Sequence, residues 1–138
     1  MGYTHYWKNK GFSDEQWNQI GSAALRIFTE AKAQGIDIAR ESDRPSDSPE
    51  ITTEEIIFNG IGDDGHETFH LSKFASDFEF CKTAYKHYDA VVVAILIYAA
   101  NCSEGFSWSS DGIPEEHSTG LALVNKVTSL DIQASNAG

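Results

Sequence analysis

Residues 66–70 read His-Glu-Thr-Phe-His, the spacing with which two histidines bind zinc in metalloproteases. In those enzymes the segment is helical, so both imidazoles share a face and the glutamate acts as general base. Here it follows Asp63-Asp64-Gly65, a turn sequence, and no helical apolar stripe leads into it. On a strand, His66 and His70 would lie about 13 Å apart, whereas a zinc–nitrogen bond is about 2 Å long. We therefore predict a strand here, with no metal site and no cofactor.

A second candidate for chemistry is Ser109-Ser110-Asp111-Gly112, which follows a predicted strand. Backbone N–H groups and hydroxyls at such a turn can bind an anion. The same residue types are typical of an ordinary β-turn, and we favour this simpler interpretation.

A third possibility is a pocket built from several segments. Tyr3, His5 and Trp7 alternate along the first predicted strand and therefore share a face. Aromatic walls with a few polar groups are typical of a pocket for a planar small molecule. They are equally typical of a sheet face covered by a helix. The candidate ligand-binding residues are Tyr3, His5, Trp7, Asn59, His66, Lys82, Ser110 and Asp111; no residue is assigned a catalytic role.

The N-terminal elements are the clearest in the sequence. Residues 2–7 are aromatic and β-branched and predict a strand. Ser13 and Gln16 have the spacing of a capping box, and apolar or small residues then recur with a helical period. Gly35 is a natural terminator. These features predict a helix over residues 14–34.

The rest of the chain predicts more strands and a second long helix. Further strands are predicted at 36–39, 55–60, 66–71, 78–81 and 105–109, with a polar, mobile loop over 40–53 and a positive φ at Gly65. Residues 89–101 are apolar and suit a buried strand or a buried helix. We favour a helix, because Asp89 is a good N-cap and the run is long for a strand. A short helix follows Pro114.

Together these elements predict one domain of the α+β class. The length of 138 residues fits a single domain, and 41% hydrophobic residues suffice for a core. We expect a mostly antiparallel sheet of four to six strands, packed against a long N-terminal amphipathic helix and a central apolar helix. The domain is predicted over residues 1–130, with a frayed C-terminal tail over 131–138.

The net charge of −11 is concentrated in one part of the chain. The acidic residues there are Glu41, Asp43, Asp47, Glu50, Glu54, Glu55, Asp63, Asp64 and Glu67, against Arg44 alone. Such a field repels phosphate backbones, so direct nucleic-acid binding is not expected. It would attract a protein partner with a basic surface; the alternative is that the charge serves only solubility.

Several absences predict a cytoplasmic protein that does not enter membranes. Residues 1–30 lack the apolar region of a signal peptide, and the run from Ala90 to Ala100 is too short to span a bilayer. The two cysteines, Cys81 and Cys102, form no CxxC motif and lie among apolar residues. We expect both to be reduced, buried thiols.

Six short segments carry a resemblance to a known family. They are Gly2-Tyr3-Thr4-His5-Tyr6-Trp7, Phe58-Asn59-Gly60, His66-Glu67-Thr68-Phe69, Phe80-Cys81-Lys82-Thr83-Ala84, Tyr88-Asp89 and Ser109-Ser110-Asp111-Gly112, in this order. Over residues 2–112 the chain resembles an uncharacterised family of small bacterial and tailed-phage proteins. His87 departs from the family pattern, which has proline there. The resemblance implies a phage or mobile-element product and no particular activity.

Three functions follow as expectations. The first is a non-catalytic acidic binding protein, such as a phage inhibitor that occludes a basic host protein surface. The second is a protein that binds or sequesters a small, nucleotide-like molecule through the candidate residues named above. The third is a small hydrolase that uses His66 and Glu67.

Overall fold

A computed structural model describes residues 3–128 and shows an α+β fold, which confirms the predicted class. The strands are β1 (Thr4–Asn9), β2 (Ile38–Ala39), β3 (Glu50–Ile51), β4 (Glu55–Gly60), β5 (Phe69–Ser72), β6 (Ser76–Lys82) and β7 (Phe106–Ser110). The helices are α1 (Asp14–Ala33), α2 (Asp89–Cys102) and α3 (Ser118–Thr128), with single 3₁₀ turns at Gly62–Asp64 and Pro114–His117. The predicted tail 131–138 lies outside the described residues.

The strands form two sheets, whereas the sequence predicted one. One sheet has the order β6-β1-β7, and in the other β4 pairs with β2, β3 and β5; every pairing is antiparallel. The side chain of Asn9 links the two sheets. Its Nδ2 atom donates to the carbonyl oxygens of Ser72 (2.8 Å) and Phe74 (3.1 Å). This side chain, rather than a ladder of backbone bonds, connects β1 to the turn between β5 and β6.

Helix α1 begins at the capping box that the sequence indicates. Ser13 Oγ accepts from the Gln16 amide (3.1 Å), and Gln16 Oε1 accepts from the Ser13 amide (2.9 Å). Two residues after the helix ends, Gly35 has a φ of +88°, a left-handed conformation that glycine adopts without strain.

The helices pack mainly on one another, and each of the three contacts the other two. Nearly every side chain of α2 from Ala90 to Ala99 is buried, so this helix has no polar face to present to water. Helix α3 approaches it closely at Gly120, where a Cβ atom would lie 2.6 Å from Cγ1 of Val93. Within residues 3–128, no helix combines the length and the apolar composition needed to cross a membrane.

The connection between β4 and β5 differs from the predicted hairpin turn. Strand β5 begins at Phe69 rather than at His66, and the positive φ falls at Gly62 (+58°) rather than at Gly65. The side chain of Asn59 is the reason. It accepts from the backbone amide of His66 and donates to the same residue's carbonyl, each at 3.0 Å. These bonds replace strand pairing and hold residues 60–66 as a compact loop.

Both cysteines are free thiols. Cys81 is buried in β6, and burial raises the pKa of its thiol to about 12. Cys102, which was expected to be buried, is only half-buried at the end of α2. Neither thiol has the low pKa of a nucleophilic cysteine.

Candidate functional site

A buried histidine and a largely buried aspartate form the centre of the candidate site. His5 has no exposed surface, because alternation along β1 turns it inward. Its Nε2 atom lies 2.5 Å from Oδ1 of Asp89, the first residue of α2. Thr83 donates its hydroxyl to the same oxygen, also at 2.5 Å. The Asp89 side chain is 14% exposed, so its carboxylate joins the buried imidazole to the surface.

A second histidine packs against the first. The ring centroid of His117 lies 5.8 Å from that of His5 and 5.1 Å from that of Trp108. Its Nε2 atom lies 3.2 Å from the hydroxyl of Ser110, at the end of β7. Burial lowers the pKa of His117, and the neighbouring His5 acts in the same direction. The structure therefore favours a neutral imidazole at this position.

This aromatic cluster contains the buried side-chain polar atoms of residues 3–128 that have no hydrogen-bond partner. They are Tyr3 Oη, His5 Nδ1, Trp108 Nε1 and His117 Nδ1. Such atoms are rare in folded proteins because leaving them unpaired is costly. The phenol and the indole are donors, whereas each Nδ1 is an acceptor when Nε2 carries the proton.

A surface cleft of about 240 Å³ opens beside the cluster. Tyr3, Tyr85, Lys86, Asp89 and Glu116 are among the residues that line it. The ring of Tyr85 stacks on that of Tyr3, with centroids 4.0 Å apart and planes at 25°. The cleft is therefore bounded by two aromatic rings and by carboxylates.

The backbone that carries Tyr85 is held in an unusual conformation. Ala84 and Tyr85 have φ values of +52° and +62°, in the left-handed region that non-glycine residues rarely occupy. Each such residue costs about 1–3 kcal/mol. The amides of Thr83 and Ala84 both donate to the carbonyl of Tyr3, at 3.1 and 3.3 Å, and thereby offset part of this cost. The strained pair places the Tyr85 ring over Tyr3 at the edge of the cleft.

The charges at the cleft come from its carboxylates and from Lys86, and not from its phenols. Burial and the neighbouring Asp89 raise the pKa of Tyr3, and loss of solvent and the neighbouring Glu116 raise that of Tyr85. Both phenols are therefore neutral. The Tyr3 hydroxyl also packs tightly against Gly112, where a Cβ atom would lie 2.4 Å from it.

Three of the eight predicted ligand-binding residues belong to this cluster: Tyr3, His5 and Ser110. Trp7 lies elsewhere in the core, where its ring packs 5.3 Å from that of Phe69. Asp111 binds the edge of β1 instead, accepting from the amide of Thr4 (3.1 Å) and the hydroxyl of Tyr6 (3.2 Å).

The remaining predicted ligand-binding residues support loops. Asn59 holds the 60–66 loop as described, and the side chain of His66 is exposed. The backbone amide of Lys82 donates to Oε1 of Glu67 at 2.6 Å. The structure therefore does not bring Trp7, Asn59, His66, Lys82 and Asp111 together with His5 in this cluster.

The HExxH segment does not form a zinc site. His66 lies in a loop, whereas His70 lies in β5 and its Nε2 atom contacts Glu55 at 2.9 Å. Among residues 3–128, no group of three or more histidine, cysteine, aspartate or glutamate side chains is placed to hold a metal ion.

The acidic stretch is paired in part with arginine and histidine side chains of the same chain. Glu41 and Glu50 contact Arg40 at 3.3 and 3.1 Å, and Asp47 contacts Arg44 at 4.0 Å. Two further pairs are Glu55–His70 (2.9 Å) and Asp64–His87 (3.1 Å). Asp43, Glu54 and Asp63 are exposed. These local pairs reduce the negative electrostatic field that the acidic residues of this stretch were expected to create.

Sequence reasoning did not identify Thr83, Tyr85, Glu116 or His117 as site residues, and it assigned Asp89 to helix capping alone. An N-cap aspartate is common and gives no sign of a histidine partner. The predicted cap is also wrong: Asp89 is the first helical residue, Tyr88 is the N-cap, and no side chain caps the helix. The buried His5 offered one signal, because a histidine on an apolar strand face needs a polar partner.

Comparison with family models, with curated proteins and with solved structures finds no match to this chain. The resemblance to bacterial and phage proteins stays a prediction. Four of the segments that carry it nevertheless meet at the cluster, since they contribute His5, Thr83, Asp89 and Ser110.

Proposed function

We propose that the protein binds a small organic cation, such as an alkylammonium or guanidinium compound, in the cleft between Tyr85, Asp89 and Glu116. One observation carries the proposal. The Asp89 carboxylate is held by His5 and Thr83 and yet remains 14% exposed at the cleft, beside the stacked rings of Tyr3 and Tyr85.

The chemistry of the lining favours a cation over other ligands. Two carboxylates attract positive charge, and neutral aromatic rings add about 0.5–2 kcal/mol through cation–π contacts. Lys86 and His87 lie at the same cleft and offer a place for a polar or acidic end of the ligand. The volume of about 240 Å³ suits a molecule the size of an amino acid. A nucleotide is a poorer candidate, because its phosphates would face Asp89 and Glu116.

Binding is a better account of this site than catalysis. A general base must come within hydrogen-bond reach of the proton that it removes. His5 has no exposed surface and lies against Tyr3 and Trp108, so its imidazole is screened from a substrate in the cleft. The hydrolase hypothesis is weakened further because the Glu67 carboxylate already accepts from the backbone amide of Lys82 at 2.6 Å.

The test is a titration of the ¹⁵N-labelled protein with n-butylammonium, and with n-butanol as its neutral match. We expect the ammonium compound to shift the amide signals of residues 83–90 and 113–120, and butanol to leave them unchanged. Glu116→Gln should weaken binding about two- to five-fold. Glu115→Gln is the matched control, because Glu115 is an exposed neighbour that does not line the cleft. Equal responses to butanol, or no response to any cation, would contradict the proposal.

A protein partner with a basic surface is the second candidate function. A lysine or arginine side chain is itself an organic cation, so the same cleft suits the tip of a partner's side chain. The exposed acids Asp43, Glu54 and Asp63 would supply the longer-range attraction. This form of the inhibitor hypothesis requires a complex that weakens with salt. A complex that is unaffected by salt and by Glu116→Gln would exclude it.

A further inference from the structure

The imidazole of His117 is buried behind the wall of the cleft. Its neighbour Glu116 lines the cleft, and so do Thr119 and Gly120, which follow it in the chain. His117 itself is only 3% exposed, too little for its ring to contact a ligand in the cleft. A charge on this ring would nevertheless act on the ligand at short range, because little water lies between them to screen it.

The two cleft carboxylates are also the negative charges that act on His117. Asp89 is connected to it through His5, whose Nε2 atom lies 2.5 Å from Oδ1 of Asp89 and whose ring centroid lies 5.8 Å from that of His117. Burial and the neighbouring His5 lower the pKa of His117, whereas Asp89 and Glu116 oppose them. The same two carboxylates therefore attract a proton on His117 and a cation in the cleft.

The other groups that face His117 are uncharged. The ring of Trp108 lies 5.1 Å away, and the hydroxyl of Ser110 lies 3.2 Å from Nε2 of His117, both on β7. Among residues 3–128, the titratable groups that act on His117 are thus His5 on β1, Asp89 on α2 and Glu116 in its own turn. No other carboxylate is placed to take over the attraction.

We propose that cation binding in the cleft is linked to the charge of His117: the neutral imidazole permits binding, and the imidazolium opposes it. This linkage rests on the proposed function, because it regulates the same cleft. The bound cation and the proton on His117 compete for Asp89 and Glu116, so each weakens the binding of the other by the same factor. The cleft therefore binds its ligand near neutral pH and releases it in mildly acidic solution.

The test is the titration of the ¹⁵N-labelled full chain with n-butylammonium, repeated at pH values between about 7.5 and 5. We expect the dissociation constant of the wild type to rise about five-fold or more as the pH falls over this range. His117→Gln should lose most of this dependence, because glutamine cannot take up the proton while Asp89 and Glu116 remain. His87→Gln is the matched control. His87 also lines the cleft, but it is 77% exposed and its charge is screened by water, so this variant should keep the dependence of the wild type.

The titration of the His117 ring gives a second readout, which does not require any variant to fold. In protein labelled with ¹³C at histidine Cε1, n-butylammonium should lower the pKa of His117, and n-butanol should leave it unchanged. A dissociation constant that does not vary with pH, or that varies equally in the wild type and in His117→Gln, would overturn the linkage and leave the proposed function intact. Absence of binding at every pH would contradict the proposed function, and the linkage with it.

Discussion

Oδ1 of Asp89 lies 2.5 Å from Nε2 of His5, although 84 residues separate them in the chain. The contact joins the central strand of one sheet to the first turn of the central helix. It also places a carboxylate at the N-terminus of α2, where the helix dipole favours negative charge. One side chain therefore serves the packing of the core and the charge of the cleft.

Removal of the Asp89 carboxylate should destabilise the fold. Asp89→Ala leaves Nε2 of His5 buried without a partner and deprives the Thr83 hydroxyl of its acceptor. We expect the free energy of unfolding to fall by about 3 kcal/mol or more. Urea titration followed by tryptophan fluorescence measures this change. Asp89→Asn should cost less, because its side-chain carbonyl can still accept both bonds.

Asp77→Ala is the control for that measurement. Asp77 is exposed on β6, so its loss should change stability by about 0.5 kcal/mol or less. If Asp89→Ala were as mild as Asp77→Ala, the His5–Asp89 contact would not support the core.

Two glycine-to-alanine changes should have opposite effects. At Gly120 an added Cβ would lie 2.6 Å from Cγ1 of Val93 and 2.8 Å from the carbonyl of Ala90, so α3 must move away from α2. We expect Gly120→Ala to lower stability by about 1–3 kcal/mol. At Gly21 in α1 the Cβ would meet only Cγ2 of Ile51, at 3.5 Å, an ordinary contact. Gly21→Ala should therefore raise stability by about 0.5–1 kcal/mol, because alanine favours the helix.

Thermal unfolding of the two alanine variants measures both effects. Their opposite signs separate a steric clash from a general effect of adding a methyl group. A Gly120→Ala protein as stable as the wild type would show that α2 and α3 do not pack as closely as described.

Stability should decrease in mildly acidic solution through His117. Burial lowers the pKa of this residue below its ordinary value of 6.5, with His5 acting in the same direction and Asp89 and Glu116 opposing it. The unfolded chain takes up a proton at about pH 6.5, before the folded protein does. The contribution of His117 to the free energy of unfolding is therefore complete above about pH 6.5. It is lost as the pH falls toward the lower pKa that His117 has in the folded protein.

The measurement is the free energy of unfolding at several pH values between about 7.5 and 5. We expect a decrease in the wild type and a shallower decrease in His117→Gln, which cannot take up the proton. His87→Gln is the control, because His87 is 77% exposed and pairs with Asp64 at the surface. An unchanged pH dependence in His117→Gln would rule out this residue as the source.

The sequence by itself determined the local elements and their inward faces. Ser13 and Gln16 define the start of α1, and Gly35 follows its end, because capping and left-handed termination depend only on neighbouring residues. Alternation along β1 predicted that Tyr3 and His5 would share a face, and both are buried. These features follow from residues that are close in the chain.

Tertiary structure decided which distant groups meet. The link between the two sheets depends on Asn9 and the turn after β5, and the site depends on Asp89 reaching His5 and on His117 reaching Ser110. Sequence periodicity does not predict such long-range pairs, because each residue type is also explained by its position in its own element. Asp89, for example, is an ordinary residue for the start of a helix. Only the packing of α2 and the 114–117 turn against β1 and β7 brought them together, since a buried polar atom takes its partner from whatever the fold places beside it.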